Sequence, residues 1–497
     1  MYLLSRQEMY DCDRYTIREM GIPGKELMEN AGRGSAEYLR DILLANGEHV
    51  LIFCGSGNNG GDGFVIGRYL QSWGYHVEII VTGKCDKMTT ETSENYHACL
   101  DMGISIHLTS SYQEWQGIGI DIREYGMVVD AIFGVGFKGS LRGWIAELIR
   151  EINQKSKRTI AVDIASGIDA DSGLADNAVQ AQYTLTMAAI KYGSILGAGK
   201  SCSGRIKVID IGMPPEVIAQ KNPPGRLVKA DMIKLPERKD HYHKGDYGRI
   251  AIIAGSPGFS GAAVMAAKAA LRSGAGLITL FHPPGMELIF EIQLLEVMTR
   301  AIPLDLEELE EQLAKFDVVL FGPGVGINER AGDILEMLVH KWHKPLIIDA
   351  DGLNLLSINQ NLLWEIAGKR VLLTPHIGEF SRLSGVGVKE IMADPAQVLM
   401  SFCRGKKLKV LLKSSTTIFC DGEQLLFDDS GNDGLATGGS GDVLSGIICS
   451  FAGQGLELAE AGIAASWMLG KTAEKLAEQR ETRSIIPSDI IDNMFKY

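Results

Sequence analysis

Apolar and polar positions along the 497-residue chain form a two-part pattern that runs through twice. Short apolar runs stand at 50–54, 77–81, 127–133, 159–164, 182–187 and 206–211, and segments of helical length and polarity, such as 64–73 and 88–102, separate several of them. Alternation of this kind predicts a parallel sheet with crossover helices. It resumes with RIAIIAG at 249–255, GLITLF at 276–281, DVVLFG at 317–322, PLIIDAD at 345–351, RVLLTP at 370–375 and KVLLKSS at 409–415, and the last third reads as mainly helical. Between the two passes stand Pro214, Pro215, Pro223 and Pro224. Prolines at that density leave no room for a periodic element, so the domain boundary is expected there. The pattern predicts two α/β domains, 1–215 and 225–497, each large enough to fold alone.

Composition narrows the class. Hydrophobic residues at 45% and charged residues at 22% describe a globular chain. A net charge of −13, from 49 basic and 62 acidic residues, argues against nucleic acid or an anionic membrane as partner while leaving room for a local phosphate site. Eight cysteines at 12, 54, 85, 99, 202, 403, 420 and 449 show no CxxC, which predicts scattered buried thiols in a reducing compartment rather than disulfides or zinc. The N-terminal MYLLSRQEMYDCDR meets acids before any signal core, and the most apolar helical stretch, 262–270, is interrupted by Lys268 and followed by Arg272. A cytoplasmic protein with no membrane span is expected.

Candidate chemistry in the first half begins with CGSGNNGGDG at 54–63. It follows an apolar strand, carries the spacing Gly55-x-Gly57-x-x-Gly60, and precedes a helix expected to begin near Phe64. Glycines admit a close approach to phosphate, and the free N–H groups of a helix start favour an anion. A ligand-free turn has the same spacing, but Asn58, Asn59 and Asp62 add polar side chains to this one. A dinucleotide cofactor also needs an acid at the end of the next strand. Here VEIIV ends in Thr82-Gly83-Lys84, which disfavours an ordinary dehydrogenase. Asp130 and Asp163 end two more strands and lead into AIFGVGFKGS and IASGID. At the carboxyl edge of a parallel sheet Asn59, Asp130, Asp163 and Ser166 would converge, although a strand-end acid also serves as a helix cap. Oxygen donors without histidine suit potassium, sodium or magnesium better than zinc.

In the second half NDGLATGGSGDVL at 432–444 places four glycines before an apolar helix. That arrangement suits a phosphate in transit, with Asp442 placed to take a proton from a substrate hydroxyl. Lys413-Ser414-Ser415-Thr416-Thr417 offers a cation and hydroxyls to a polyphosphate, or is merely a polar strand end. Thr374-Pro375-His376-x-Gly378-Glu379 also follows a strand, and Gly322-Pro323-Gly324-Val325-Gly326 allows close backbone approach. His241 and His243 lack a third ligand nearby, so they read as surface or substrate contacts rather than a zinc site.

Taken in order over essentially the full chain, these motifs resemble the bifunctional NAD(P)H-hydrate repair enzymes. The resemblance rests on Asn58-Asn59-Gly60-Gly61-Asp62-Gly63, Asp130-Ala-Ile-Phe-Gly134 and Asp163-x-x-Ser166-Gly167 in the first half. In the second it rests on His243-Lys244-Gly245-x-x-Gly248, Gly322-Pro323-Gly324, Thr374-Pro375-His376-x-Gly378-Glu379 and Gly438-Gly439-Ser440-Gly441-Asp442, the last also similar to the anion hole of the ribokinase-like fold.

It implies a Rossmann-like epimerase domain followed by a ribokinase-like dehydratase domain. The first would interconvert the R and S hydrates of NADH and NADPH; the second would use ADP or ATP, with magnesium, to dehydrate the S hydrate. By the same resemblance the hydrate is held in the first domain by Asn58, Asn59, Gly60, Gly61 and Asp62, by Gly134, Val135, Gly136, Phe137, Lys138, Gly139 and Ser140, and by Asp163, the acid–base candidate. Asn59, Asp130 and Ser166 would bind potassium. In the second domain Ala263, Gly324, Gly326 and His376 would meet the hydrate; Lys413, Ser414, Ser415, Thr416 and Thr417 with Gly441 and Asp442 would meet ADP, and Asp442 would act as base. The family pattern DIPSG reads DIASG here, with Ala165 in place of proline, which puts the potassium geometry in question. A homo-oligomer is expected. The competing readings are a ribokinase-like small-molecule kinase with an accessory nucleotide-binding domain, and a first domain that only senses nucleotides.

Overall fold

The computed structural model describes residues 1–43, 45 and 47–495. The chain divides into two compact units, Tyr2–Pro223 and Pro224–Tyr497, with Met1 belonging to the second.

The first unit is built on seven parallel strands: β1 (His49–Cys54), β2 (His76–Val81), β3 (Ser105–Leu108), β4 (Met127–Ala131), β5 (Thr159–Val162), β6 (Tyr183–Met187) and β7 (Arg205–Ile209), in the order β3-β2-β1-β4-β5-β6-β7. Alternate residues of β1 enter opposite cores. Val50, Ile52 and Cys54 pack with Met9 of α1 (Arg6–Arg18), Leu27 of α2 (Gly24–Tyr38) and Phe64 of α3 (Asn58–Ser72). Leu51 and Phe53 pack with Leu148, Ile149 and Ile152 of the helix Trp144–Lys155. Burial on both faces explains the continuous apolar runs. The strand order reverses between β1 and β4, and the crevice at such a switch point is where an open parallel sheet binds ligands.

The second unit carries β8 (Gly225–Leu227), β9 (Arg249–Ile253), β10 (Leu277–His282), β11 (Met298–Ala301), β12 (Val318–Phe321), β13 (Leu346–Ile348), β14 (Val371–Leu373), β15 (Lys409–Leu412), β16 (Thr417–Cys420) and β17 (Leu425–Asp428). Their order is β8-β17-β16-β15-β14-β13-β12-β9-β10-β11, with β16 antiparallel to both neighbours. Its core is closed by Ala266 and Ala270 of a helix Ser260–Arg272 against Val443 and Ile447 of a helix Ser440–Gly453.

The structure departs from the sequence reading in several places. Helix α3 begins at Asn58, not near Phe64, so Gly60, Gly61 and Gly63 of CGSGNNGGDG lie in its first two turns. Glycine is a poor helix former, but a Cβ at Gly60 would stand 1.9 Å from the Gly55 carbonyl oxygen, so close packing overrides propensity. The proline-rich connector contains a helix, Pro215–Lys221. Pro214 and Pro215 stand at its N-cap and first position, where the missing N–H costs nothing, and Val217 is buried in the first unit's core. The short strands β3 and β11 passed unseen because, as half-exposed sheet edges, they carry no apolar run. Among the described residues no helix is long and apolar enough to cross a membrane.

Candidate functional site

Two clusters form, one at the carboxyl edge of each sheet. In the first unit Asp130, the penultimate residue of β4, has no exposed surface. Its carboxylate accepts hydrogen bonds from the Ser166 N–H at 2.8 Å, the Ser166 hydroxyl at 2.6 Å and the Ile132 N–H at 3.2 Å. The Phe133 N–H donates to Ser166 Oγ at 2.9 Å, and Asn59 Nδ2 donates to the Phe133 carbonyl at 3.0 Å. Among the described residues Asn59 Oδ1 is thereby left buried with no hydrogen-bond partner. An orphaned buried oxygen costs about 1–3 kcal/mol, and a cation would satisfy it. Burial pushes the Asp130 carboxyl up to about 6, with the Ser166 bonds opposing. Ala165 is fully buried, and the backbone around it is held by the bond from Ser166 to Asp130 and by the Ile168 N–H on the Ala165 carbonyl. The structure thus brings Asn59, Asp130 and Ser166 together.

Beside this cluster lies a cavity of about 680 Å³, lined by Asn58, Asn59, Asp62, residues 134–138 and Asp163. The N-cap of α3 is Gly57, whose cap makes no side-chain hydrogen bond, so the first N–H groups of the helix remain available to an anion. Gly60 and Gly61 are buried in packing, and Ser140 donates to Asp176 at the surface.

Asp163 holds a left-handed backbone, φ 65°, directly after β5. Its Oδ1 accepts from the Met187 N–H at 3.2 Å and from the ammonium of Lys191. Lys191, 1% exposed, also donates to Thr186 Oγ1 at 3.1 Å and to the Met187 carbonyl at 3.0 Å. Asp13 on α1 and Asp62 on α3 line the same cavity. Burial raises both carboxyls, Asp62 well above its ordinary value and Asp13 to about 6; Asp163 adds to each and Lys191 opposes. Three acids thus surround one buried lysine. Sequence reasoning missed Lys191 and Asp13. A lysine inside the apolar stretch MAAIKYGSIL was the available signal for the first; nothing distinguished Asp13 from any surface acid of a helix.

In the second unit four neighbouring strand ends converge. After β12 the chain turns at Gly322, φ 127°, where a Cβ would stand 1.9 Å from the Asp349 carbonyl oxygen. The Gly326 N–H donates to Asp351 Oδ2 at 2.9 Å, and the Gly324 carbonyl accepts from Ser256 Oγ at 2.7 Å. After β13 comes Asp349, 1% exposed, then Ala350 with φ 49° and Asp351. After β14, His376 caps the helix Ile377–Ser384: Nδ1 accepts from the Gly378 N–H at 3.0 Å, while the Glu379 carboxylate accepts from the His376 N–H at 2.9 Å. An accepting Nδ1 puts the proton of the neutral ring on Nε2. Burial and then Lys413 lower the His376 pKa. After β15, Lys413 Nζ donates to Asp349 Oδ1 at 2.7 Å. Burial alone would lower this lysine, but Asp349 and Glu379 outweigh it and raise it.

Helix Ser440–Gly453 aims its N-terminus at this cluster. Its N-cap is Gly439, Asp442 is its third residue, and the Cβ position of Gly441 lies 3.3 Å from Lys413 Nζ. Burial, then Asp349, raises Asp442 to about 7, with Lys413 opposing. An acid poised near neutrality beside free helix N–H groups can accept a hydroxyl proton as phosphate arrives. Asp349 and Asp351 were overlooked in the sequence, although PLIIDAD ends in acids just as the strands before Asp130 and Asp163 do. Of the other expected residues, Ser414 and Ser415 are exposed at this edge, Thr416 is fully buried and Thr417 opens β16. Ala263 has no exposed surface, and His241 and His243 are exposed.

Comparisons with known proteins cover both units. The family described as "YjeF-related protein N-terminus" matches residues 24–193, and the family described as "NAD(P)H-hydrate dehydratase" matches residues 250–496. A bifunctional NAD(P)H-hydrate repair enzyme of Moorella thermoacetica is 37% identical over 99% of this chain and 96% of its own length. One of Thermofilum pendens is 32% identical over 94% of this chain and 90% of its own. Among solved structures, a ribokinase-like superfamily protein of Enterococcus faecalis V583 matches with TM-score 0.50 and 26% identity, over 55% of this chain and 94% of that one.

Proposed function

The chain belongs to the family of bifunctional NAD(P)H-hydrate repair enzymes, and from that premise we propose how its two units divide the work. The first unit is the epimerase and the second the nucleotide-dependent dehydratase. The observation that carries this reading is the same pairing in each unit: a helix N-terminus without a side-chain cap beside an acid drawn back from solvent, α3 with buried Asp163 and helix Ser440–Gly453 with half-buried Asp442.

In the hydrate, water has added at carbon 6 of the dihydronicotinamide ring, next to the ring nitrogen, and the ring no longer donates hydride. In the first unit the dinucleotide phosphates lie at the N-terminus of α3 with Lys138 nearby, and Asp163 reaches the carbon 6 hydroxyl. Potassium would be held by Asn59 Oδ1, Ser166, Asp130 and the Phe133 carbonyl; the orphaned Asn59 oxygen supports this oxygen-only site. When bound, the ion would fix the 133–138 loop against β4.

In the second unit Asp442 takes the proton of the carbon 6 hydroxyl as the terminal phosphoryl group of ADP or ATP transfers to that oxygen. Lys413 and the helix N–H groups stabilise the charge in transit. Phosphate leaves far more easily than hydroxide, so its elimination restores the dihydropyridine. The acids Asp349, Asp351 and Asp442 outnumber Lys413, which suits magnesium arriving with the nucleotide; magnesium is held by one or two carboxylates with phosphate oxygens and water. Epimerisation supplies the S hydrate to a stereospecific dehydratase, which makes one chain with both activities useful. Free cysteines throughout support a cytoplasmic setting. The exposed apolar residues Leu288, Ile292, Leu295 and Leu304 support homo-oligomerisation through the second unit.

The test is to incubate the chain with mixed NADH hydrates and ADP or ATP and follow the dihydropyridine absorbance. Recovery of both epimers is expected. Recovery of one alone leaves the first unit without epimerase activity, and accumulation of a phosphorylated organic product means a small-molecule kinase instead.

A further inference from the structure

Moving the carbon 6 hydroxyl from one face of the ring to the other needs a base and an acid together. The base takes the hydroxyl proton, the carbon–oxygen bond becomes a carbonyl, and the bond from carbon 6 to the ring nitrogen breaks. The electron pair goes to that nitrogen, where the conjugated carboxamide delocalises it, and the acid protonates it. Rotation about the bond between carbons 5 and 6 presents the other face of the aldehyde. The nitrogen then re-adds, giving its proton back to the acid's conjugate base, while the new alkoxide recovers the other proton. Nothing is consumed.

Asp163 fits only one of these roles. Its carboxylate already receives two donors, the Lys191 ammonium and the Met187 N–H. A carboxyl that receives donors offers a lone pair, not a proton. Resting on the epimerase reading of the first unit, we propose that Asp13 of α1 is the proton donor of the epimerisation and works with Asp163 in the same cavity. Three observations support it. Asp13, Asp163 and Lys191 all line the cavity. Among the described residues the Asp13 side chain makes no hydrogen bond, although it is half-buried, so its carboxyl is free for a ligand. Asp62, the other acid there, lies on α3, one turn from Asn59 and beside the phosphate end. The groups acting on Asp13 are Lys191 and Asp163 from the sheet edge and Asp62 from α3, while Lys221 of the packed helix Pro215–Lys221 is directed at Cys12 and the Tyr15 ring. Burial raises the Asp13 carboxyl to about 6, which keeps part of it protonated near neutrality.

The experiment uses the full chain without nucleotide, the R hydrate of NADPH as substrate, and chromatographic separation of the epimers. Asp13→Asn is expected to lower kcat by about 100-fold or more, with KM within about threefold, and Asp13→Glu to keep at least about a tenth of the rate. For the wild type, kcat/KM should fall as pH rises above about 6, and Asp13→Asn should lose that limb. A kcat for Asp13→Asn within about threefold of wild type, a loss confined to KM, or an unchanged alkaline limb would overturn the assignment. Should Asp13→Asn fail to fold, a wild-type profile that stays flat as pH rises through the same range overturns it equally. Wild-type protein that exchanges no epimers rejects the epimerase reading itself, a result distinct from all of these.

Discussion

Lys191→Met is the sharpest probe of the first site. Methionine keeps most of the length and packing volume of lysine but removes the ammonium. In the structure that ammonium is 1% exposed and serves three acceptors: the Asp163 carboxylate, Thr186 Oγ1 at 3.1 Å and the Met187 carbonyl at 3.0 Å. Without it, Asp163 keeps only the Met187 N–H, and the acids Asp13, Asp62 and Asp163 are left around the cavity without their cation. Removing one partner of a buried ion pair costs about 3–5 kcal/mol. For a unit of this size that corresponds to a fall of roughly 6–20 °C in Tm. The double variant Asp163→Asn/Lys191→Met removes both charges and should recover at least about half of the loss, because much of the cost is an uncompensated charge. Hydrogen exchange read by mass spectrometry separates the two units. Peptides covering β1, β4 and β5 should lose protection, and those covering β12 to β15 should not. Epimer exchange should fall with the single variant, since Asp163 loses the group that orients it. A stability change below about 1 kcal/mol, or a double variant no better than the single, would refute the account.

Two other outcomes follow from the same geometry. Asp442→Asn should abolish dehydration yet stabilise the second unit as pH rises. The folded state holds this carboxyl at about 7 against 3.8 unfolded, so ionising it costs stability across that window; the gain should be absent below pH 3.8 and reach at most roughly 4 kcal/mol above about pH 7, by denaturant melts at several pH values. Potassium should raise the melting temperature of the first unit relative to tetramethylammonium at equal ionic strength, and Asn59→Ala should remove that difference; an equal response in the variant would place any potassium effect elsewhere.

The sequence by itself determined the architecture. Apolar runs at β1, β4, β5 and β12 to β15 were legible because strands buried on both faces of a parallel sheet must be apolar throughout. Glycines and acids just past those runs pointed to the ligand-binding edge, and so Asn59, Asp130, Asp163, Ser166 and Asp442 could be named from one chain. The edge strands β3 and β11, the true start of α3 at Asn58 and the helix at Pro215–Lys221 were not legible. Their form depends on what packs against them, such as the Gly55 carbonyl against Gly60. Only the tertiary structure decided which charges meet. Lys191 lies 28 residues from Asp163 and Asp349 lies 64 from Lys413, and no local pattern encodes such pairings. Sequence periodicity reports which side of an element is buried; the partner a buried charge finds there is settled by how the strand ends and helices close over the sheet.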